Sequence, residues 1–167
     1  MASRLCWENI VPGCDPYSPE NPICIANGIF SGTPVPVGGK FGLASKSPLT
    51  GFLGDSLSGS WFSVALKRAG WDGVVIHNSS DTWVNIFIDD DRVEFLDATY
   101  LLGKGTFETE EAIREKMGDD QVRSCTIGVC GERMIRYANV TNDGRQAGRT
   151  GHGAVWGSKK VKAVSVR

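Results

Sequence analysis

The residues best equipped for chemistry lie near the end of the chain, in Asn142-Asp143-Gly144-Arg145-Gln146-Ala147-Gly148-Arg149-Thr150-Gly151-His152-Gly153, continuing to Gly157-Ser158-Lys159-Lys160-Val161-Lys162. Glycines recur every few residues, cations stand between them, and one acid lies at the front. Such a run lets backbone N–H groups approach an anion while guanidinium and ammonium groups neutralise its charge. From Gly144 to Arg167 there are six Arg or Lys and no acid, in a chain whose formal net charge is −1. That contrast points to a local anion site and to no global affinity for nucleic acid or membrane.

Known phosphate motifs are met only in part. Gly153-x-x-x-Gly157-Ser158-Lys159 approaches a phosphate loop without its Gly-Lys-Ser/Thr order, and Gly151-x-Gly153-x-x-x-Gly157 approaches a dinucleotide fingerprint without a strand immediately before it. A glycine-rich turn between two strands competes with both on equal terms. A second glycine- and hydroxyl-rich stretch, residues 47–59, reads as structural when taken alone. With Lys40 upstream, the two loops could clasp one large polyanion from two sides. Trp61 and Trp156 could wall such a site, although core packing is the commoner use of each. His152 could donate to an oxyanion or act as an acid, against the plainer reading of a loop histidine. Asp89, Asp91, Glu108, Glu110 and Glu111 read as solvated acids.

Cys6, Cys14, Cys24, Cys125 and Cys130 form no Cys-x-x-Cys pair, so a zinc or iron–sulfur site made by this chain alone is not expected. An odd count without a signal peptide predicts reduced thiols and a cytoplasmic protein. No apolar run approaches the roughly 20 residues of a membrane span.

The elements that must position the two loops are short. Glycine supplies 21 of the 167 residues, well above its usual share of about 7%, which favours tight turns over long helices. Strands are expected at 23–29, 40–45, 73–77, 83–88, 93–96, 122–127, 134–140 and 161–166, the fourth and fifth joined as a hairpin at Asp89–Arg92. A helix is expected over 60–69, with Trp61, Val64, Ala65 and Leu66 as its apolar stripe and Gly70 as its stop. A second runs over 107–117 with Thr106 as N-cap, acids first and Lys116 last, and a helical turn spans 154–158. The opening Met1–Trp7 suggests no clear element, as in a truncated piece. Short strands with a few helices and no βαβ rhythm indicate an α+β fold. Residues 40–69 and 134–158 share a strand, glycine loop, helix order, which suggests an internal duplication.

Six blocks, in order, resemble the N-terminal domain of the aldehyde ferredoxin oxidoreductase family, the tungsten–pterin enzymes. They are Asp15-Pro-Tyr-Ser-Pro-Glu-Asn-Pro22, Lys46-Ser-Pro-Leu-Thr-Gly-Phe52, Leu66-Lys-Arg-Ala-Gly-Trp-Asp-Gly73, Gly103-Lys-Gly-Thr-Phe-Glu-Thr-Glu110, Asn142-Asp-Gly144, and Ala147-Gly-Arg-Thr-Gly-x-Gly-Ala-Val-x-Gly-Ser-Lys159. The resemblance covers nearly the whole chain. It implies an α+β base domain of two related β-sheet halves on which two pterins lie, with tungsten (or molybdenum) held by their dithiolene sulfurs and no protein ligand. A magnesium ion would join the pterin phosphates and take backbone carbonyls from Leu57 and Gln146, where the family has Asn and Ala. Lys40 matches a family Arg between pterin and iron–sulfur cluster; it keeps the charge and loses the planar fork. Gly59, Arg145, Gly148 and Arg149 match other pterin-contacting positions, and no residue matches a catalytic one.

The resemblance further implies a single tungstopterin-binding domain over residues 1–167, without the family's opening β-hairpin and without the later domains that ligate the 4Fe-4S cluster. The complete enzyme would oxidise an aldehyde to a carboxylic acid in anaerobic metabolism, with ferredoxin as electron acceptor, the remaining domains as partners, and a homodimer compatible with it. This chain alone would be inactive. The competing expectations are a non-catalytic phosphate- or nucleotide-binding module and an inactive family fragment.

Overall fold

The computed structural model describes residues 1–167. The chain opens on a helix, α1 (Ala2–Asn9), where the sequence offers no clear element. The helix has no side-chain cap and no charges that complement its dipole. Packing makes it: Ala2 and Cys6, one turn apart, are buried against Cys24, Ala26 and Ala44.

Three strands follow as an antiparallel meander, β1 (Ile23–Asn27), β2 (Lys40–Lys46) and β3 (Leu53–Gly59). Helix α2 (Trp61–Arg68) then carries the chain back to β4 (Gly73–Ile76), which pairs antiparallel with β1. The sheet order is β3-β2-β1-β4. A hairpin, β5 (Val84–Asp89) and β6 (Arg92–Asp97), and helix α3 (Thr106–Met117) intervene. The sequence then builds β7 (Arg123–Thr126), a short helix α4 (Val129–Glu132), β8 (Val140–Asn142), β9 (Arg145–Ala147), α5 (His152–Ser158) and β10 (Val161–Val166). The second sheet runs β6-β5-β10-β7-β8-β9, with β5 and β10 its parallel pair.

Two halves of one topology emerge. In each, a three-stranded antiparallel meander leads through a helix to a fourth strand that pairs antiparallel with the first, giving β3-β2-β1-β4 and β9-β8-β7-β10. The duplication suggested by the loop style is therefore present in the strand order, and the fold is α+β as expected. One core of nineteen buried residues lies between the sheets, drawing Ile23, Ile25, Phe41 and Leu43 from the first, Ile86, Ile88 and Val164 from the second, Phe62 and Leu66 from α2, and Val155 and Trp156 from α5. Phe41 and Phe62 meet edge to face, 5.2 Å between centroids. The outer faces are covered separately, the first sheet by α1 and the second by α3. Burial on both faces explains the apolar run Ile23–Ala26 of β1; β10 is equally buried but carries Lys162 and Ser165 among its apolar residues.

Several elements differ from the sequence expectation. Residues 47–59 are not one loop, because 53–59 form β3. Residues 134–140 are not a strand: turns after α4 fill this stretch, Met134 has φ 52°, and pairing begins only at Val140. In α2 the buried face is Phe62, Ser63 and Leu66, while Trp61 is 60% exposed. The N-cap of α3 is Gly105, whose N–H donates to the Glu108 carboxylate at 2.9 Å, and Thr106 lies inside the helix.

The glycines of α5 are packing residues. A Cβ on Gly157 would stand 1.9 Å from the Gly131 carbonyl oxygen, one on Gly153 2.4 Å from that of Asn139, and one on Gly151 1.9 Å from that of Arg136. Helix α5 thus lies directly on the backbone of α4 and the turns after it. Gly157→Ala is expected to destabilise the fold by about 1–3 kcal/mol or more through overpacking. Gly148→Ala, whose Cβ would meet only the Asn139 side chain at 3.6 Å, should change stability little; urea unfolding of the two variants compares them.

Candidate functional site

Strands β3 and β9 end their respective sheets, so each keeps one side of its backbone free of a ladder partner. The fold brings these two edges together. A cleft of about 540 Å³ runs between them, lined by Asp55, Ser56, Leu57, Gln146, Gly148 and Arg149. A smaller one of about 210 Å³ adjoins it, sharing Asp55, Ser56 and Leu57 and adding Lys40 and the start of α1. Lys40 pairs with Gly59 across β2 and β3. Five of the seven sequence-chosen residues (Lys40, Leu57, Gln146, Gly148 and Arg149) therefore line one connected shelf, and Gly59 lies at its Lys40 end. Arg145 stands beside the β8–β9 turn, opposite Asn142, and lines neither cleft.

Four serines hold the two loops to each other. Ser45 Oγ lies 2.8 Å from His152 Nδ1. Ser47 Oγ donates to the Thr150 carbonyl at 2.7 Å and accepts from the N–H groups of Leu49 and Thr50. Ser56 Oγ accepts the Arg149 N–H at 3.2 Å, and Ser58 Oγ donates to Asn142 Oδ1 at 3.0 Å. All four serines are buried. Where a Cβ on Gly54 would be, Thr150 is already within 2.6 Å. Sequence reasoning found none of these serines, nor Asp55; the sign was the alternation in residues 53–59, where each even position is small and each odd one from 53 to 57 is larger.

The cation count near the C-terminus overstated the charge available. Lys159 is buried and donates to the carbonyls of Pro19 and Asn78, and burial pulls its pKa down to about 8. Lys162 is fully buried against Glu132 at 2.5 Å. Lys160 donates to the Asp81 carbonyl, and Arg167 pairs with Asp119 at 2.8 Å. The guanidiniums of Arg145 and Arg149 and the ammonium of Lys40 make no internal hydrogen bond or ion pair and are exposed. Of the six cations after Gly144 only Arg145 and Arg149 are left unpaired, and Arg149 and Lys40 are the two cations that line the shelf.

His152 is not a loop donor. It is buried at the start of α5 between Ser45 Oγ and Thr150 Oγ1 (3.0 Å), and burial lowers its pKa to about 4, so it is neutral. Trp156 is core and walls nothing. Glu110 is likewise not solvated: it is 4% exposed, accepts the Asp143 N–H, and is pushed up to about 7 by burial first and by the Asp143 carboxylate second. No three His, Cys, Asp or Glu side chains come together as a metal-ligand group. All five cysteines are free thiols, and no helix is long and apolar enough to cross a membrane.

The sequence model described as "Aldehyde ferredoxin oxidoreductase, N-terminal domain" matches residues 1–167. The chain belongs to this family. It is 44% identical over 167 residues to a tungsten-containing aldehyde ferredoxin oxidoreductase of Thermococcus kodakarensis, covering 99% of this chain and 28% of that protein. It is 42% identical to the Pyrococcus furiosus enzyme of the same name, with the same coverage. Among solved structures, the BamBC active-site complex of benzoyl coenzyme A reductase superposes with a TM-score of 0.96 at 34% identity, covering 99% of this chain and 25% of that one. The chain thus corresponds to the family's N-terminal domain and spans about a quarter of the length of these relatives.

Two predictions come from the shelf's construction. Ser47→Ala leaves one carbonyl and two N–H groups short of a partner and should cost about 1–3 kcal/mol, read by urea unfolding. The second concerns Glu110, whose folded pKa is raised. The folded state therefore favours the neutral acid, and the associated stability is present below the ordinary carboxylate pKa and lost as pH rises through about 7. Glu110→Gln should exceed the wild type in stability at pH 8 by on the order of 1–3 kcal/mol and lose that advantage by pH 5, in thermal melts across the range.

Proposed function

We propose that this chain is the cofactor-bearing base of a tungsten- (or molybdenum-) bis-pterin oxidoreductase that converts an aldehyde to a carboxylic acid with ferredoxin as electron acceptor. The observation that carries this reading is the meeting of two sheet edges, from two halves of the same topology, at a shelf lined by two unpaired cations, Lys40 and Arg149, with Arg145 on the adjoining turn. A paired cofactor made of two like, phosphate-bearing parts suits a cradle that is itself two like parts. Free main-chain groups on β3 and β9 meet the many ring donors and acceptors of a pterin, while Lys40, Arg145 and Arg149 offset phosphate charge.

Leu57 on β3 and Gln146 on β9 occupy comparable places. Each is exposed, is followed by a buried small residue (Ser58, Ala147) and then by a glycine (Gly59, Gly148). Under this reading their carbonyls would hold a magnesium ion, which would offset phosphate charge, and Gly59 and Gly148 would let the cofactor come close to the backbone. Once bound, the metal–dithiolene group supplies two-electron redox chemistry, and the chain's task is to hold and orient it. The cluster-ligating and substrate-binding parts, and the surface that meets ferredoxin, belong to the rest of a cytoplasmic enzyme. Ile29, Phe30, Val37, Phe52 and Leu57, all at least 50% exposed on the β2–β3 hairpin and the loop before it, fit a face that this remainder covers.

The aldehyde is drawn from the relatives that are 42–46% identical. A relative 32% identical is named as an aliphatic sulfonate oxidoreductase subunit of Pyrococcus furiosus, so the substrate is set outside this domain. The complete enzyme, produced without oxygen and with both metals supplied, should contain tungsten or molybdenum and release pterin on denaturation. Arg149→Ala should lower pterin content by about tenfold, the scale of one lost charge-assisted contact. An enzyme with neither metal would count decisively against the reading.

A further inference from the structure

Glu110 differs from its neighbours on α3. Glu108 and Glu111 are exposed, whereas Glu110 is buried with Oε1 accepting the Asp143 N–H at 3.1 Å. Asp143 and Gly144 form the two-residue turn between β8 and β9, closed by the pair Asn142 and Arg145. Both turn residues have positive φ, 43° and 73°, the primed geometry that matches strand twist in a tight hairpin. For Asp143 that conformation is sterically unfavourable by itself. The turn's own side chains do little to hold it. Asp143 Oδ2 and Asn142 Nδ2 are buried without partners, and Asp143 Oδ1 stands 4.0 Å from Arg123. The support comes from α3, through Glu110 on one side and the Phe107 ring on the other, a ring carbon lying 3.4 Å from where a Gly144 Cβ would be.

We infer that Glu110 is a positioning residue for the shelf: its hydrogen bond to the turn fixes the hairpin that carries Arg145 and Gln146 and leads to Arg149. The inference rests on reading the shelf as a phosphate site. It predicts an effect opposite to simple electrostatics. Removing a buried negative charge near the cations would by itself tighten anion binding, whereas removing a positioning acceptor weakens it.

The test uses the full 167-residue chain, with magnesium pyrophosphate as probe and amide hydrogen exchange as a ligand-free readout. Glu110→Met fills the volume without an acceptor, Glu110→Gln keeps the acceptor without the charge, and Glu111→Gln removes a charge from the exposed face of the same helix. In Glu110→Met the Asp143 amide should exchange about tenfold faster, and pyrophosphate should bind about tenfold more weakly, the scale of one lost hydrogen bond. Glu110→Gln should restore both to within about twofold, because its amide oxygen still accepts the N–H. Equal exchange and equal or tighter binding in Glu110→Met would overturn the role of Glu110. If the wild type binds no pyrophosphate while the Asp143 amide still depends on Glu110, the phosphate reading of the shelf fails instead. Should Glu110→Met not fold, faster Asp143 exchange in Glu110→Gln than in Glu111→Gln would equally overturn the inference.

Discussion

Everything at the shelf depends on the hydroxyl seam between β2–β3 and residues 142–152. Ser45, Ser47, Ser56 and Ser58 each reach across from the first half to the second, to His152, Thr150, Arg149 and Asn142. Loops are normally free to vary in place; these two are not, because buried polar groups must keep their partners or lose on the order of 1–3 kcal/mol each. The same seam explains why β3 carries small residues inward. Gly54, Ser56 and Ser58 let the second half come within hydrogen-bond distance, and any larger residue there would separate the two edges. A neutral His152 belongs to this arrangement, since a buried imidazolium between two hydroxyls would have no counter-charge.

The duplicated topology gives the seam its geometry. A sheet edge is ordinarily a hazard, a row of unpaired donors and acceptors open to any passing strand. Here each half offers its edge strand to the other without merging the two ladders. The faces of the sheets are filled on both sides, by the shared core within and by α1 and α3 outside. Of the four edge strands, β3, β9, β4 and β6, β3 and β9 are the two that flank the cleft. There two sheet edges face each other, with Lys40 and Arg149 among the lining residues.

How much of this could be read from the chain alone follows from the kind of signal each part leaves. Strands β1, β5 and β10 are buried on both faces and show as mainly apolar segments, interrupted by Asn85 in β5 and by Lys162 and Ser165 in β10. The β5–β6 hairpin declares itself through Asp89-Asp90-Asp91-Arg92, and the end of α3 through Gly118, which takes φ 65°. Strand β3 leaves a misleading signal because its polarity is inverted, with Ser and Gly inside and Leu53 and Leu57 outside. Helix α1 leaves none, since tertiary packing alone makes it. The glycine-rich run divides between two uses that its composition does not separate. Gly148 borders the cleft, but Gly151, Gly153 and Gly157 serve helix packing. Likewise, charge counting cannot distinguish Arg149 at the cleft from Lys162 in the interior. What the composition hid is pairing, and pairing is visible only once Glu132 and the carbonyls of Pro19 and Asn78 are brought into place.

A cradle built from strand edges would place different constraints on edge side chains and on cations. If main-chain groups carry most of the contact with a large heterocyclic cofactor, the side chain at an edge position is constrained only by what it must avoid. Exposed Leu57 and Gln146 then occupy the central places without contributing their side-chain chemistry. The cations are under a different rule. An ammonium at Lys40 supplies charge but not the flat, two-pronged donor of a guanidinium, so under the proposed reading it would attract a phosphate as a point charge and leave orientation to the backbone. Orientation in turn depends on how firmly the two edges are held, which returns the burden to the serine seam and to the turn braced by α3. Under the proposed reading, recognition would reside in the placement of backbone, and the side chains that matter most would be those that hold it there.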